Sequence, residues 1–316
     1  MNRGESAEPT EQLDAPPHSV LCLGEALVDL ICQRPVEGLG QADSFVPHFG
    51  GAVANVAMLL ARAGVKVALA GGAGADDWGR WLAETLHGAG VDMFRFRLIH
   101  GVQTPLAVVT VADDGEPTYN LYAESVGTVV EALGADVSAA VAEYGSLFIS
   151  SNTLVSPAER EVTMAARAAA LELGRPVIFD PNLRLHRWRS RADAAASANA
   201  CVPDALLVRA TAEEAQLLTG EEDEERAAIA LRKAGARNVV ISLGDEGAIL
   251  RGQIRAGVPA AKVKKLASTI GAGDALTAML ITRLAESGFY EPALAAGLHD
   301  AVLAGAQACE RWGAID

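Results

Sequence analysis

The sequence predicts an α/β fold: a mostly parallel sheet covered by helices on both faces, with a small antiparallel sheet beside it. Three observations lead there. Strand-like and helix-like runs alternate from Val20 to near the C-terminus without a break in composition, the pattern of successive βα units. Several helix-like runs carry their own start and stop signals. Two regions, about 27–49 and 92–122, abandon that rhythm for short alternating segments with turn residues between them, which suits antiparallel strands.

The elements follow in order. VLCLGEALVDLI (20–31) reads as the first strand. Gly50-Gly51 opens a helix of small and apolar residues over 52–63, and Gly64 ends it. VKVALAG (65–71) is a buried strand, and a helix follows around WGRWLAETLHGAG (78–90). FRFRLI (94–99), LAVVTVA (106–112) and TYNLY (118–122), with a turn at Asp113-Asp114-Gly115, supply the small sheet, a lid at the carboxyl ends of the main strands. Ser156-Pro157-Ala158-Glu159 combines an N-cap, an N1 proline and a capping-box glutamate, so a helix runs from there to Leu173. PVIFD (176–180) and ALLV (205–208) are strands. Thr211-Ala212-Glu213-Glu214 is a second capping box, closed by Gly220. NVVIS, the turn Leu243–Gly247 and AIL read as strand, turn, strand.

Composition narrows the partners. The chain has 316 residues, 26 basic and 40 acidic, for a formal charge of −14, and no Lys/Arg cluster offsets it. That excludes nucleic acid and an anionic membrane surface as expected partners. The cysteines Cys22, Cys32, Cys201 and Cys309 lie far apart with no CxxC pair, so buried free thiols are expected rather than disulfides or a zinc site. Residues 1–18 are polar and Pro-containing, without an apolar core, and read as a disordered tail rather than a signal peptide. Residues 19–316 read as a single domain. No apolar run has the length of a membrane span. The expectation is a soluble, cytoplasmic protein.

The segment that carries chemistry is Ser268-Thr269-Ile270-Gly271-Ala272-Gly273-Asp274, followed by the apolar helix ALTAMLITRLAESG. Small residues at 271–273 leave backbone N–H groups uncovered at a helix N-terminus, where amides and helix dipole together favour an anion such as a phosphoryl group. Asp274, in the first turn, could accept a proton from a hydroxyl attacking phosphorus. Taken alone, the segment reads equally well as a Gly-rich turn with a helix-capping Asp. No GxxxxGK[ST] loop is present. GGAGADDWG (71–79) follows a strand as a dinucleotide loop would, but Asp77 stands where the third glycine belongs, so the fingerprint fails.

Here the sequence resembles the ribokinase-like (PfkB-type) carbohydrate kinases, whose signature reads D-T-x-G-A-G-D. Gly50-Gly51-Ala52-Val53-Ala54-Asn55 matches the family's N-terminal glycine pair with its Asn. Asp29, GADDWG at 74–79, DPNLR at 180–184 with Trp188, the TxEE…LTG stretch from Thr211 to Gly220, and SLGDEG at 242–247 follow in family order. The resemblance spans Val20 to Ala314 and implies a ribokinase-like three-layer αβα sandwich. It implies Asp274 as catalytic base, the amides of Gly271, Ala272 and Gly273 as anion hole, and Asp29, Gly50, Gly51 and Asn55 on the sugar. Arg184 would clamp a phosphate or a substrate carboxylate. Thr211, Ser242, Gly244 and Gly247 fall on the nucleotide side, and Glu214 would organise Mg²⁺ indirectly, through water or phosphate.

The implied reaction is transfer of the γ-phosphoryl group of ATP to a small sugar, fructose or a related ketose. The alternatives are 2-keto-3-deoxygluconate, ribose or a nucleoside. From other classes the rivals are a catalytically silent sugar-binding relative and a dinucleotide-dependent oxidoreductase. Three positions depart from the family pattern. Thr211 replaces the family's Asn. Ser268 replaces an Asp that helps form a monovalent-cation site, which leaves K⁺ dependence open. Ala123 follows Leu121-Tyr122 where many fructokinases carry Arg. The resemblance also allows a homodimer through the lid.

Overall fold

Val20–Glu25 (β1) is buried throughout because alternate side chains enter two separate cores, Val20 and Cys22 on one face of a sheet, Leu21 and Leu23 on the other. The structure is a computed structural model that describes residues 16–122 and 125–315. The sequence predicts one strand over Val20–Ile31; the structure divides it at Ala26. There the backbone of Gly51 packs against Glu25 and Ala26, and Leu27–Cys32 (β2) departs into a second sheet. Both halves are apolar and buried, so hydrophobic periodicity carries no mark of the break.

Phe45–Gly50 (β3) pairs antiparallel with β2 and leads through Gly51 into Ala52–Arg62 (α1). Val67–Gly74 (β4) returns to the main sheet, and Asp76 caps Asp77–Gly88 (α2) by accepting the Gly79 amide at 2.9 Å. The same carboxylate takes the Thr104 amide and hydroxyl, so Asp76 is committed to structure. Phe96–Ile99 (β5) corrects an expectation: the sequence places it in the small sheet, whereas it is the edge strand of the main sheet, parallel to β4. A four-residue edge strand in which only Phe96 is buried looks the same in either setting. Leu106–Val111 (β6) and Pro117–Tyr122 (β7) complete the small sheet, in the order β3-β2-β6-β7. Its β2–β3 and β6–β7 pairs are antiparallel and its β2–β6 pair is parallel.

The chain continues through Ser125–Glu131 (α3), Val137–Ala142 (α4), Ser146–Ser150 (β8), Pro157–Glu172 (α5), Val177–Asp180 (β9), Arg191–Asn199 (α6), Leu207–Thr211 (β10) and Ala212–Thr219 (α7). Glu224–Lys233 (α8), Val239–Ser242 (β11), Ala248–Arg251 (β12), Arg255–Val258 (β13), Ala272–Glu286 (α9) and Ala293–Ala308 (α10) follow. Both capping boxes form, Ser156 with Glu159 and Thr211 with Glu214, and Gly220 closes α7 in the left-handed conformation.

The main sheet runs β13-β12-β11-β10-β9-β8-β1-β4-β5, parallel from β5 to β11 and antiparallel at β12 and β13. Leu82, Val53, Leu280 and Leu298 bring α1, α2, α9 and α10 onto one face. Val130, Val141, Ala166, Ala198, Ala215 and Ala228 bring α3–α8 onto the other, giving the three layers the sequence predicts. Because β1 lies between β4 and β8, the chain builds outward from it in both directions. A crevice follows beyond the carboxyl ends of β1 and β8, and the small sheet, continuous with β1 through Ala26, stands over it.

Residues 1–15 of the expected tail, and Ala123, lie outside the described residues. Pro16 and His18 are tied to the body by hydrogen bonds: the Pro16 carbonyl accepts the Ser19 amide at 3.0 Å, and the His18 ring bonds the Ala285 carbonyl.

Candidate active site

A cavity of about 1300 Å³ occupies the crevice. Glu25 of β1, Thr211 of β10 and Ser242 of β11 reach it from below, and Asp29 and Tyr119 of the small sheet from above. Ten acidic residues line it against two cations, Arg184 and Arg209. An ATP tail therefore has few places to go, and the position of each arginine decides the polarity of the site.

The start of α9 forms one corner. Gly271 has φ +76°, and a Cβ there would lie 2.6 Å from Ala314, so both backbone conformation and packing require glycine. The Ala272 amide is used within the turn, donating to the Thr269 carbonyl at 3.2 Å. This corrects the expected anion hole: among the described residues the uncommitted amides are those of Gly271, Gly273 and Asp274. A methyl group on Gly273 would come within 2.9 Å of Arg209 Nη1, so a guanidinium stands directly beside these amides. Arg209, 6 % exposed, is held by Asp180 Oδ2 at 3.3 Å and by the Ser242 hydroxyl at 2.9 Å. Sequence reasoning missed it. The available signal was an arginine in an otherwise apolar strand ending at the site.

The start of α1 forms the opposite corner. Gly51, at φ +98°, and Asn55 line the cavity. Gly50 does not; it sits behind Asp29, whose carboxylate occupies the space a Cβ would need, at 2.4 Å. Gly50 thus makes room for Asp29. Asn55 Nδ2 donates to Asp274 Oδ2 at 2.8 Å, joining the first turns of α1 and α9. Burial pushes the Asp274 carboxyl up to about 6, with Asp180 adding to the shift and the Asn55 bond, Arg184 and Arg209 opposing it. Asp29 is pushed up to about 7, again chiefly by burial, against the pull of Arg184. Arg184 lies 5.0 Å over the Tyr119 ring, tying the DPNLR loop to the lid. His48 is half-buried against Gly313 and does not line the cavity.

On the remaining side, Gly244 (φ +59°) and Gly247 (φ +107°) shape the turn after Ser242. Ala261, Val263, Val302 and Ala306 make an apolar slot beyond it. Thr211 caps α7, and Glu214 is fully engaged: Oε2 takes the Thr211 amide and Oε1 the Leu183 amide, at 3.0 and 2.7 Å. The lid tip closes on the loop before α9, the Thr269 amide donating to Gly115 O at 2.9 Å and its hydroxyl to Glu116 at 3.3 Å. Neighbouring Ser268 is buried and donates to the Arg311 carbonyl.

A carbohydrate-kinase model, that of the pfkB family, matches residues 17–316. The chain belongs to the pfkB family of carbohydrate kinases. A curated fructokinase-1 from Oryza sativa subsp. japonica is 33% identical over 275 residues, 84% of this chain and 83% of the relative. Among solved structures, fructokinase from Vibrio cholerae O395, bound to fructose, ADP and calcium ion, superposes with a TM-score of 0.80 at 29% identity, covering 94% of each chain. Aminoimidazole riboside kinase from Salmonella enterica, with its riboside and an ATP analogue, gives 0.77 at 27%, covering 94% of this chain and 95% of that one. The protein is an ATP-dependent sugar kinase, and kinases of this family use ATP with a divalent metal ion.

The donor set fits that requirement in a particular way. Among the described residues no group of three or more acidic, His or Cys side chains is arranged to hold a metal alone. Asp180 Oδ1, beside Arg209, is among the buried oxygens without a partner. A divalent ion would therefore rest mainly on phosphate oxygens and water, with Asp180, set just behind the cavity wall, a spare acceptor and Glu214 acting only through its neighbours. Asn182 (φ +40°), Asn152 and Glu25 also line this kinase's cavity with unpartnered or shared polar atoms. Asn182 entered the sequence reading only as part of the DPNLR match, and Asn152 and Glu25 did not stand out, although Glu25 closes a buried parallel strand, where ligands gather.

Proposed function

We propose that this kinase transfers the γ-phosphoryl group of ATP to a hydroxyl of fructose or a related ketose, with Asp274 as base. The observation that carries the reading is the Asn55–Asp274 hydrogen bond. It holds a carboxylate of raised pKa beside free amides and the Arg209 cation. The apolar slot takes the adenine, Gly244 and Gly247 let the chain pass close to the nucleotide, and Ser242 and Thr211 flank the phosphates. Asp29, Asn55 and Gly51 hold the sugar, and Arg184, stacked on Tyr119 of the lid, orients it. Asp274 accepts the hydroxyl proton as that oxygen bonds to the γ-phosphorus and ADP leaves. The Gly271, Gly273 and Asp274 amides and Arg209 take up charge on the transferring oxygens. The metal, Mg²⁺ in this proposal, supplies charge neutralisation at the phosphates.

Arg184 in the sugar half supports a second reading, an acid sugar such as 2-keto-3-deoxygluconate, whose carboxylate it could clamp. ADP release across fructose, other ketoses, 2-keto-3-deoxygluconate, ribose and nucleosides, with an Asp274→Asn control, separates these readings. Turnover of none of them sinks both. A buried Ser268 spending its hydroxyl on a carbonyl supports K⁺-independent turnover, which equal rates in K⁺ and tetramethylammonium buffers would bear out. The outer face of the small sheet, with Leu30, Leu106 and Val108 half-buried and Tyr122 66% exposed, supports a homodimer, to be checked by sedimentation. Four free thiols and use of ATP suit the cytoplasm.

A further inference from the structure

We infer that Glu25 is a specificity-determining residue that reads a sugar hydroxyl other than the one phosphorylated; this deepens the kinase reading above and rests on it. Glu25 is the last residue of β1, at the point where the sheet order reverses between β1 and β8, and it is 3% exposed while lining the cavity. Its Oε1 is saturated, accepting the Ala52 amide at 3.1 Å and Asn152 Nδ2 at 3.0 Å. Asn152 is in turn fixed by Arg187, which donates to its carbonyl at 3.0 Å and its side-chain oxygen at 3.3 Å. The carboxylate therefore cannot swing. Its second oxygen, Oε2, is buried and has no partner.

A buried carboxylate oxygen without a donor is costly, and a structural role for Glu25 is already met by Oε1 alone. A ligand O–H delivered to Oε2 removes that cost. Asp29 on the lid side is near enough to feel its charge, and Arg184 and Arg187 already act on that charge without bonding Oε2, so what is missing is a short donor, which a neutral hydroxyl supplies and a phosphate does not. Glu25 is tied to α1 through the Ala52 amide and Asp274 through the Asn55 side chain, so the two carboxylates are held by different groups. The hydroxyl at Glu25 and the hydroxyl at Asp274 thus belong to different carbons of one sugar.

The test uses the full-length enzyme, ADP release, the sugar it turns over best, and monodeoxy analogues each lacking one non-accepting hydroxyl. Wild type should lose about 10–100-fold in kcat/KM for one analogue, the range for a hydrogen bond to a charged group. Glu25→Gln keeps an acceptor for Ala52 and Asn152 but puts a donor where Oε2 was. It should show that loss with the intact sugar, mostly in the sugar KM, and no further loss with that analogue, while the ATP KM stays put. Glu25→Asp, which withdraws the oxygen but keeps the charge, should behave alike and serves if the Gln variant does not fold. Unchanged sugar KM in either folded variant, or losses spread evenly over all analogues, overturns the inference and leaves the kinase standing. Wild type turning over no sugar removes both.

Discussion

Helices α1 and α9 both start on a glycine at positive φ, Gly51 at +98° and Gly271 at +76°, neither has a side-chain cap, and both aim their first turns at the same cavity. Each therefore offers the partial positive charge of a helix N-terminus. At α1 that charge is already answered, because the Ala52 amide is held by Glu25 and Asp29 stands beside Gly50. At α9 the amides of Gly271, Gly273 and Asp274 are uncommitted, and Arg209 adds a full positive charge. One backbone device yields an acceptor-rich corner and a donor-rich corner, which the proposed reaction uses for hydroxyls and for phosphate respectively. What separates them is the side chain supplied by the adjacent strand, Glu25 from β1 in one case and Arg209 from β10 in the other.

The sharpest way to break this contrast is at the carboxylate between the corners. Asp274→Asn should lower kcat by about 10²–10⁴ with ATP binding largely retained. Wild-type turnover would remove Asp274 from the mechanism. Next in size is Arg209→Met, expected to cost roughly 10²–10³ in kcat, the scale of one group stabilising the transferring charge. The change also strips Asp180 of an ion-pair partner, so Arg209→Lys is the companion. Partial rescue by Lys assigns the loss to charge, whereas equal loss in both assigns it to packing. If Met costs less than about threefold, the amides suffice and the two corners differ less than their side chains suggest. On the sugar side, Asp29→Asn should raise the sugar KM about 10–100-fold and leave the ATP KM alone; a change in the ATP KM instead would mean the corners are assigned the wrong way round.

The sequence made the order of elements and the α9 corner legible because both are written locally. Capping boxes, glycine stops and the GAGD segment depend on neighbours a few residues away. What stayed hidden depends on distant partners. Nothing near Ala26 shows that β1 ends there, since the cause is Gly51 packing in from residues away. The Ala272 amide looked free until the turn gave it to Thr269. Glu214 looked like a metal-side acid, yet both its oxygens go to backbone amides, one of them at Leu183. Arg209 and Glu25 gain their meaning only when parallel strands bring their ends to one crevice. The residue–residue distances that define the site, Asn55 to Asp274 above all, span over two hundred positions and leave no periodic trace.

The smallest expected effect concerns stability and probes whether the α9 corner is built for function at the fold's expense. With its carboxyl pushed from 3.8 to about 6, Asp274 holds a proton in the native state over a range where the unfolded chain has released it. The native state then binds more protons, so stability falls as pH rises through that window and levels off above about 6. Asparagine has no such titration and can still offer Asn55 an acceptor. Asp274→Asn should therefore match wild type near pH 3.5 and exceed it by about 1–3 kcal/mol at pH 7.5, the lower end allowing for the cavity's access to water. Urea unfolding at the two pH values measures this directly. An inactive variant with no pH-dependent gain would mean that solvent or the Arg209 charge already relieves Asp274, and that the contrast between the corners costs the fold nothing.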